Sequence, residues 1–300
     1  MTRPDIKQDA SKQGGGMPVF AHEKIIPYTA ALDAHDKEFP FAMRYTAPDG
    51  GYEFTFLAAK HDVYANSRTH QLVDYCLDTF KPQAVVVEGL TLAHKDGWDD
   101  DTRDFYLRVA RDRQQETPEY ISEPLHALLS ADARGLATYC GEPSDKAQVQ
   151  NALAHGYSGD DYCCMMFLLI IGHWQAQGIR AEDLPLIWRK NLSDYKYAVT
   201  EKLTNDMDSF EHWLTQHTDT KFTLGNFDTS ILAPDAQKPA GSLPHLSSTV
   251  SRFRDRTILK TIEDALAAHQ KVLAVYGGSH FYTLKPALEA AFTGWACSKS

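Results

Sequence analysis

Two short runs in this chain, Ala84–Val87 (AVVV) and Val272–Tyr276 (VLAVY), are apolar without interruption. A strand with one wet face alternates polar and apolar residues, because successive side chains point to opposite faces. Uninterrupted runs predict strands covered on both faces, as in parallel sheets sandwiched by their crossover helices. Helical patterns stand between them. Leu72, Val73, Cys76, Leu77 and Phe80 share one face of a helix expected from a Ser67 N-cap to about Phe80, which Lys81-Pro82 ends. Strands alternating with helices predict an α/β fold, with a mostly parallel central sheet flanked by helices.

The remaining segments fit that frame. Residues 41–57 give two β-rich runs around Asp49-Gly50-Gly51, a hairpin signal. Helices are expected at about 103–115 and 122–134, the second closed by Gly135, and "LATYC" (136–140) reads as another strand. Residues from about 145 to 217 read as a helical insertion, with a buried helix at 161–177 and a long polar one from Ser193 to His217. Three prolines and little periodicity make 233–248 a long loop, of the kind that often serves as a lid or binding segment. Residues 249–270 form a helix that feeds the VLAVY strand, and a last helix is expected at about 282–292. Residues 1–16 read as a flexible tail, and 17–300 as a single α/β domain. A coarse echo, strand then small-x-x-His then helix, occurs at 54–80 and again at 272–292, which suggests pseudo-duplicated halves.

Charge and composition remove several function classes. The net charge is −10 and no basic patch is visible, which argues against a nucleic-acid surface. The longest apolar run, Cys163 to Ile171, is about half of the ~20 residues a membrane span requires. The first sixteen residues hold no apolar run, so a soluble cytoplasmic protein without a membrane partner is expected. Five scattered cysteines without a C-x-x-C argue against a disulfide framework and a zinc knuckle. Cys163 and Cys164 read as small buried thiols. Asp96, Asp99, Asp100, Asp101 and Asp104 lack calcium-loop spacing and read as a solvated helix start.

The candidate chemistry lies at strand ends. His61 follows the strand that ends near Leu57, and Glu88 abuts Val85–Val87. Glu142 lies two residues beyond "LATYC", and His280 four beyond Tyr276. Ligands of parallel sheets bind beyond the carboxyl ends of the strands, where the loops converge. Two imidazoles and two carboxylates suit zinc, manganese, cobalt or iron, and they equally suit general acid–base work without metal. Arg254 lies just ahead of the last strand's helix and could hold a carboxylate, a phosphate or a transition-state oxyanion, or form a surface ion pair. Gly278 and Ser279 in "GGSH", with His155 and Tyr157 in a nearby loop, are candidate substrate contacts, and Gly277-Gly278 is expected to make a tight turn. A Ser279 nucleophile is disfavoured. Phe281 stands where a nucleophile elbow needs glycine, and no histidine follows His280.

In order along the chain, "AAKH", "PQAVVVEG", "RFRDR" and "VLAVYGGSHF" resemble the TraB/Tiki group within the erythromycin esterase and ChaN-like superfamily. That pattern pairs two G-x-x-H motifs, one in each half of a duplicated α/β fold, with a strand-ending glutamate and an Arg-Asn/Asp pair between them. Gly277 and His280 match the second motif, Glu88 the glutamate, and Ala58 replaces the first glycine ahead of His61. The resemblance implies a metal-assisted hydrolase of an amide or ester. His61 and His280 would be ligands, with Glu88 or Glu142 as ligand or base, acting on a small molecule or peptide. The superfamily also holds metal-independent His/Glu esterases and a haem-binding branch, so a non-catalytic haem or ligand module is the alternative. Assembly into a homo-oligomer is left open by the sequence.

Overall fold

Asp49-Gly50-Gly51 reverses the chain as the hairpin signal requires. Gly50 adopts φ 71°, and the Gly51 N–H donates to the Asp49 carboxylate at 2.9 Å. The computed structural model that shows this describes residues 17–33, 38–91, 97–175, 180–218, 222 and 228–300; the expected tail at 1–16 and Asp96 lie outside them. The flanking strands β1 (Phe41–Thr46) and β2 (Glu53–Ala59) pair antiparallel. β2 runs two residues past its expected end, because Ala58 and Ala59 continue the ladder opposite Tyr276 and Gly277.

Three strands lie parallel to β2: β3 (Ala84–Val87), β4 (Ala137–Cys140) and β5 (Lys271–Gly277). The short strand β6 (Ala296–Lys299) closes the far edge against β1. The six-stranded order is β4-β3-β5-β2-β1-β6, a mixed sheet whose parallel part is four adjacent strands. All of β3 is buried, as its lack of polar alternation demanded.

The helices are α1 (Tyr28–Asp33), α2 (Arg68–Phe80), α3 (Asp100–Glu116), α4 (Glu123–Asp132), α5 (Asp145–Ala154), α6 (Gly159–Gln175), α7 (Leu184–Asp194), α8 (Met207–His217), α9 (Leu243–Ala268) and α10 (Gly278–Ala291). Ser67 caps α2 by accepting from the His70 N–H, and Asp99 caps α3 by accepting from Thr102 at 2.9 Å. One sheet face is covered by α9 and α10, with Ile258, Ile262 and Leu284 against Phe54, Phe56 and Val86. On the other face α2 and α4 bring Val73, Leu77 and Leu128 onto Leu57, Val85 and Val275.

The helical insertion builds a second core around Phe167, Trp188 and Phe210, and both Cys163 and Cys164 are fully buried in it. Leu243, Leu246 and Val250 belong to this core, whereas Ile258, Leu259 and Ile262 of the same helix belong to the sheet's core. α9 therefore passes from one core to the other, 26 residues or about 39 Å at 1.5 Å per residue.

Three further boundaries differ from expectation. Of the long helix foreseen from Ser193 to His217, residues 195–206 are non-helical and only the second half forms, as α8. α7 stops at Asp194, the Asp160 carboxylate ties down Thr200 through its N–H and hydroxyl at 2.7 and 2.6 Å, and Asp206 caps a fresh start for α8. The loop foreseen at 233–248 ends at Ser242, because Pro244 falls in the first turn of α9, where no N–H is needed. The last helix begins at Gly278 instead of about 282. No helix among the described residues is long and apolar enough to cross a membrane.

Candidate active site

β5 passes straight into α10, so the tight turn expected at Gly277-Gly278 is absent. Gly277 sits at φ −51°, ψ 141°, a backbone open to any residue. Space is what calls for glycine here. A Cβ on residue 277 would stand 2.6 Å from His61 Nε2 and 3.3 Å from Glu88 Oε2, and one on residue 278 would overlap the Phe39 ring. Gly278 is thus a packing residue against Phe39.

The four strand-end residues do converge at the carboxyl edge. Glu88 Oε2 accepts the Gly277 N–H at 2.6 Å, while Oε1 faces His280 Nε2 at 3.4 Å and Arg254 Nη2 at 3.5 Å. Burial alone would raise the Glu88 carboxyl. The hydrogen bond from His280, with the charges of His280, His61 and Arg254, outweighs that and holds it well below the usual carboxylate range. His280, in the first turn of α10, also donates from Nδ1 to buried Asp255 at 2.7 Å. Burial opposes its charge, yet Asp255 and Glu88 push its pKa up to about 10, so it is an imidazolium at neutral pH.

Glu142 meets Arg254 as a fork. Arg254 Nε donates to Oε2 at 2.7 Å and Nη2 to Oε1 at 3.0 Å. Burial disfavours the guanidinium charge, but Glu142 above all, then Glu88 and Asp255, hold the proton more firmly than usual. Beneath this layer the Tyr276 hydroxyl donates to the Val87 carbonyl and accepts the Gly141 N–H, both at 2.9 Å. It ties the ends of β3 and β4 to β5. Gly141 leaves room for it, since a Cβ there would lie 2.5 Å from that oxygen.

His61 is held differently. Its Nδ1 is hydrogen-bonded to Glu123 Oε1, a buried carboxylate at the first residue of α4. The His61 side chain is 63% exposed and lines an open cleft of about 810 Å³ with Asp62, Tyr64, Glu88, Leu90 and Glu123. The Glu123 hydrogen bond raises the His61 pKa, against a smaller opposing effect of burial.

Glu88, Glu142 and His280 each present one ligand atom within 4.8 Å of the others and could hold a metal ion. His61 lies outside that 4.8 Å group, with Nδ1 held by Glu123 and Nε2 facing Gly277 beside Glu88. The same carboxylates already carry cations: Arg254 bridges both oxygens of Glu142, and His280 Nε2 stands 3.4 Å from Glu88 Oε1.

The substrate contacts expected elsewhere do not gather here. His155 lines a different cleft, and Tyr157 hydrogen-bonds His245 of that cleft. Ser279 is half-buried in the first turn of α10 and is hydrogen-bonded to neither His61 nor His280, so it has no base to activate it. Among the residues that sequence reasoning missed, Asp255 carries a legible signal. It falls on the helical stripe Ile258, Leu259, Ile262, an acid on a buried face. Glu123 does not, because an acid in a helix's first turn is an ordinary favourable placement.

No protein family, curated protein or solved structure matches this chain in comparison. Ala58, the departure from the first G-x-x-H motif, is fully buried in the extended ladder between Phe41 and Tyr276, where alanine is at ease.

Proposed function

We propose that this chain hydrolyses an ester or amide of a small molecule or peptide, with His61 as general base. The observation that carries this reading is the Glu123–His61 pair at the mouth of the cleft. With Nδ1–H given to Glu123, the lone pair on Nε2 is left facing the floor formed by Gly277 and Glu88. His61 Nε2 takes a proton from water as the oxygen attacks the carbonyl carbon. The proton then passes to the departing alkoxide or amine, releasing acid and alcohol or amine. His280, between Asp255 and Glu88, and Arg254, forked on Glu142, act on a developing oxyanion through the field of their charge and not by direct donation. The resemblance to the TraB/Tiki group, through Glu88, Gly277, His280 and the Arg254-Asp255 pair, supports a hydrolase of the same bonds and implies a metal-assisted one.

A metallohydrolase is the second reading, favoured by the Glu88, Glu142 and His280 cluster. Manganese, cobalt, zinc or iron held there would acidify a bound water. The metal-free arrangement is preferred because Arg254 and protonated His280 already neutralise those carboxylates. A haem iron fits poorly, since both nitrogens of His280 face carboxylates. Ester and peptide hydrolysis should be measured with metal content for wild type, His61→Ala and His280→Ala, before and after chelation. Loss of turnover in His61→Ala with chelator-insensitive wild type is the expected result. Absence of wild-type turnover overturns the hydrolase reading, unchanged turnover in both variants overturns this site as its seat, and chelator-sensitive turnover transfers the case to the metallohydrolase.

A further inference from the structure

α9 presents arginines in two directions. At 100° per residue, Arg252 and Arg256 lie within about 40° of each other, while Arg254 points roughly to the opposite side, toward Glu142. Arg252 and Arg256 line a cleft of about 170 Å³ together with Asn151, His155, His245 and Ser248. Not one carboxylate is among the residues that line it. Neither arginine makes an ion pair among the described residues, in a chain whose net charge is −10. Asp235, beside the lining residue Ala236, is outside the lining and accepts the Gln237 N–H on Oδ1 at 2.9 Å. Two like charges at i, i+4 weaken a helix slightly, and an anion between them removes that repulsion.

The other polar groups are arranged as donors. The Gly241 N–H donates to the Tyr157 hydroxyl oxygen at 3.4 Å, and the same hydroxyl is hydrogen-bonded to His245 Nδ1. With the hydroxyl proton directed at Nδ1, His245 carries hydrogen on Nε2, as a donor. Buried Ser248 adds a hydroxyl to the lining. A volume of about 170 Å³ equals five or six waters at ~30 Å³ each, which admits a phosphate group and excludes a whole nucleotide.

We propose that this cleft binds the phosphate group of a small ligand on Arg252, Arg256 and His245, at a site separate from the His61 cleft. Two guanidinium forks and an imidazole donor supply more hydrogen bonds than a planar carboxylate accepts, and they match a tetrahedral oxyanion. The proposal does not depend on the hydrolase reading.

Calorimetric titration of the full chain with inorganic phosphate and with phenyl phosphate, at constant ionic strength against chloride, tests it. Saturable one-to-one binding is expected. It should weaken at least tenfold in Arg252→Gln or Arg256→Gln, disappear in the double variant, and persist in Arg189→Gln as a control for net charge. Tighter binding of phenyl phosphate assigns the site to a phosphomonoester, and equal binding assigns it to free phosphate. Both arginines are exposed, so the variants keep the fold. Absence of saturable binding by either ligand, or full binding in the double variant, overturns the proposal.

Discussion

Gly277→Ala separates the stability of this fold from the chemistry of its cleft. The backbone at 277 accepts alanine, and Gly→Ala at a compatible site gains about 0.4–1 kcal/mol by restricting the unfolded chain. The new methyl, however, would meet His61 Nε2 at 2.6 Å, where ordinary contact begins at 3.4 Å. His61 must therefore retreat by about 0.8 Å, and its exposed side chain has room to do so. A misplacement near 1 Å lowers a rate by about 10²-fold. Urea unfolding should then place the variant within ~1 kcal/mol of wild type, while turnover of a chromogenic ester falls about a hundredfold, toward the His61→Ala level. Wild-type turnover in a folded Gly277→Ala variant refutes the placement of His61. A stability loss above about 3 kcal/mol refutes the claim that the flexible ring, not the sheet, gives way.

Other expectations follow from the same geometry. Glu123→Gln removes the carboxylate that raises the His61 pKa, so the alkaline-rising limb of the rate profile should move to lower pH with a reduced plateau; an unmoved limb contradicts the pairing. His280 is raised from 6.5 to about 10, so its contribution to stability is complete below pH 6.5 and is lost as pH rises through 10. Between pH 7 and 8, before thiols titrate, urea-derived stability should fall by roughly 1 kcal/mol on this account. Asp255→Asn should flatten that slope and cost about 3–5 kcal/mol overall; an equal slope in the variant speaks against a charged His280. Ala58→Gly, which restores the motif glycine, should lower stability by about 0.5–1 kcal/mol without raising turnover, as thermal unfolding and the ester assay together can show.

The parallel strands and the carboxyl edge were legible in AVVV and VLAVY, because burial on both faces erases polar alternation. The positions of His61, Glu88, Glu142 and His280 followed from strand ends. Their partners were harder to read. The Glu142–Arg254 and His61–Glu123 pairs join residues 112 and 62 apart in sequence, and nothing local specifies such a meeting. Gly277 and Gly278 misled in an instructive way. Glycine next to a strand end suggests a turn, but the ring of His61 and that of Phe39 impose glycine here by crowding. The helix foreseen over 193–217 starts only at Met207 because Asp206 caps a new beginning there, and side-chain caps compete poorly with periodicity in a reading by pattern.

The passage of α9 through two cores makes its length a fixed quantity. Leu246 and Val250 bind its first part to the helical insertion, whereas Ile258 and Ile262 bind its second part to the sheet. Deleting one residue between Val250 and Arg254 would turn everything beyond by 100°. Either the insertion would rotate off its seat, or Arg254 and Asp255 would leave Glu142 and His280. The helix is a phase-locked shaft, with charge on Glu88 and His280 as its dial. Loops around it are free to change length, but between these two cores the chain can be altered only by substitution.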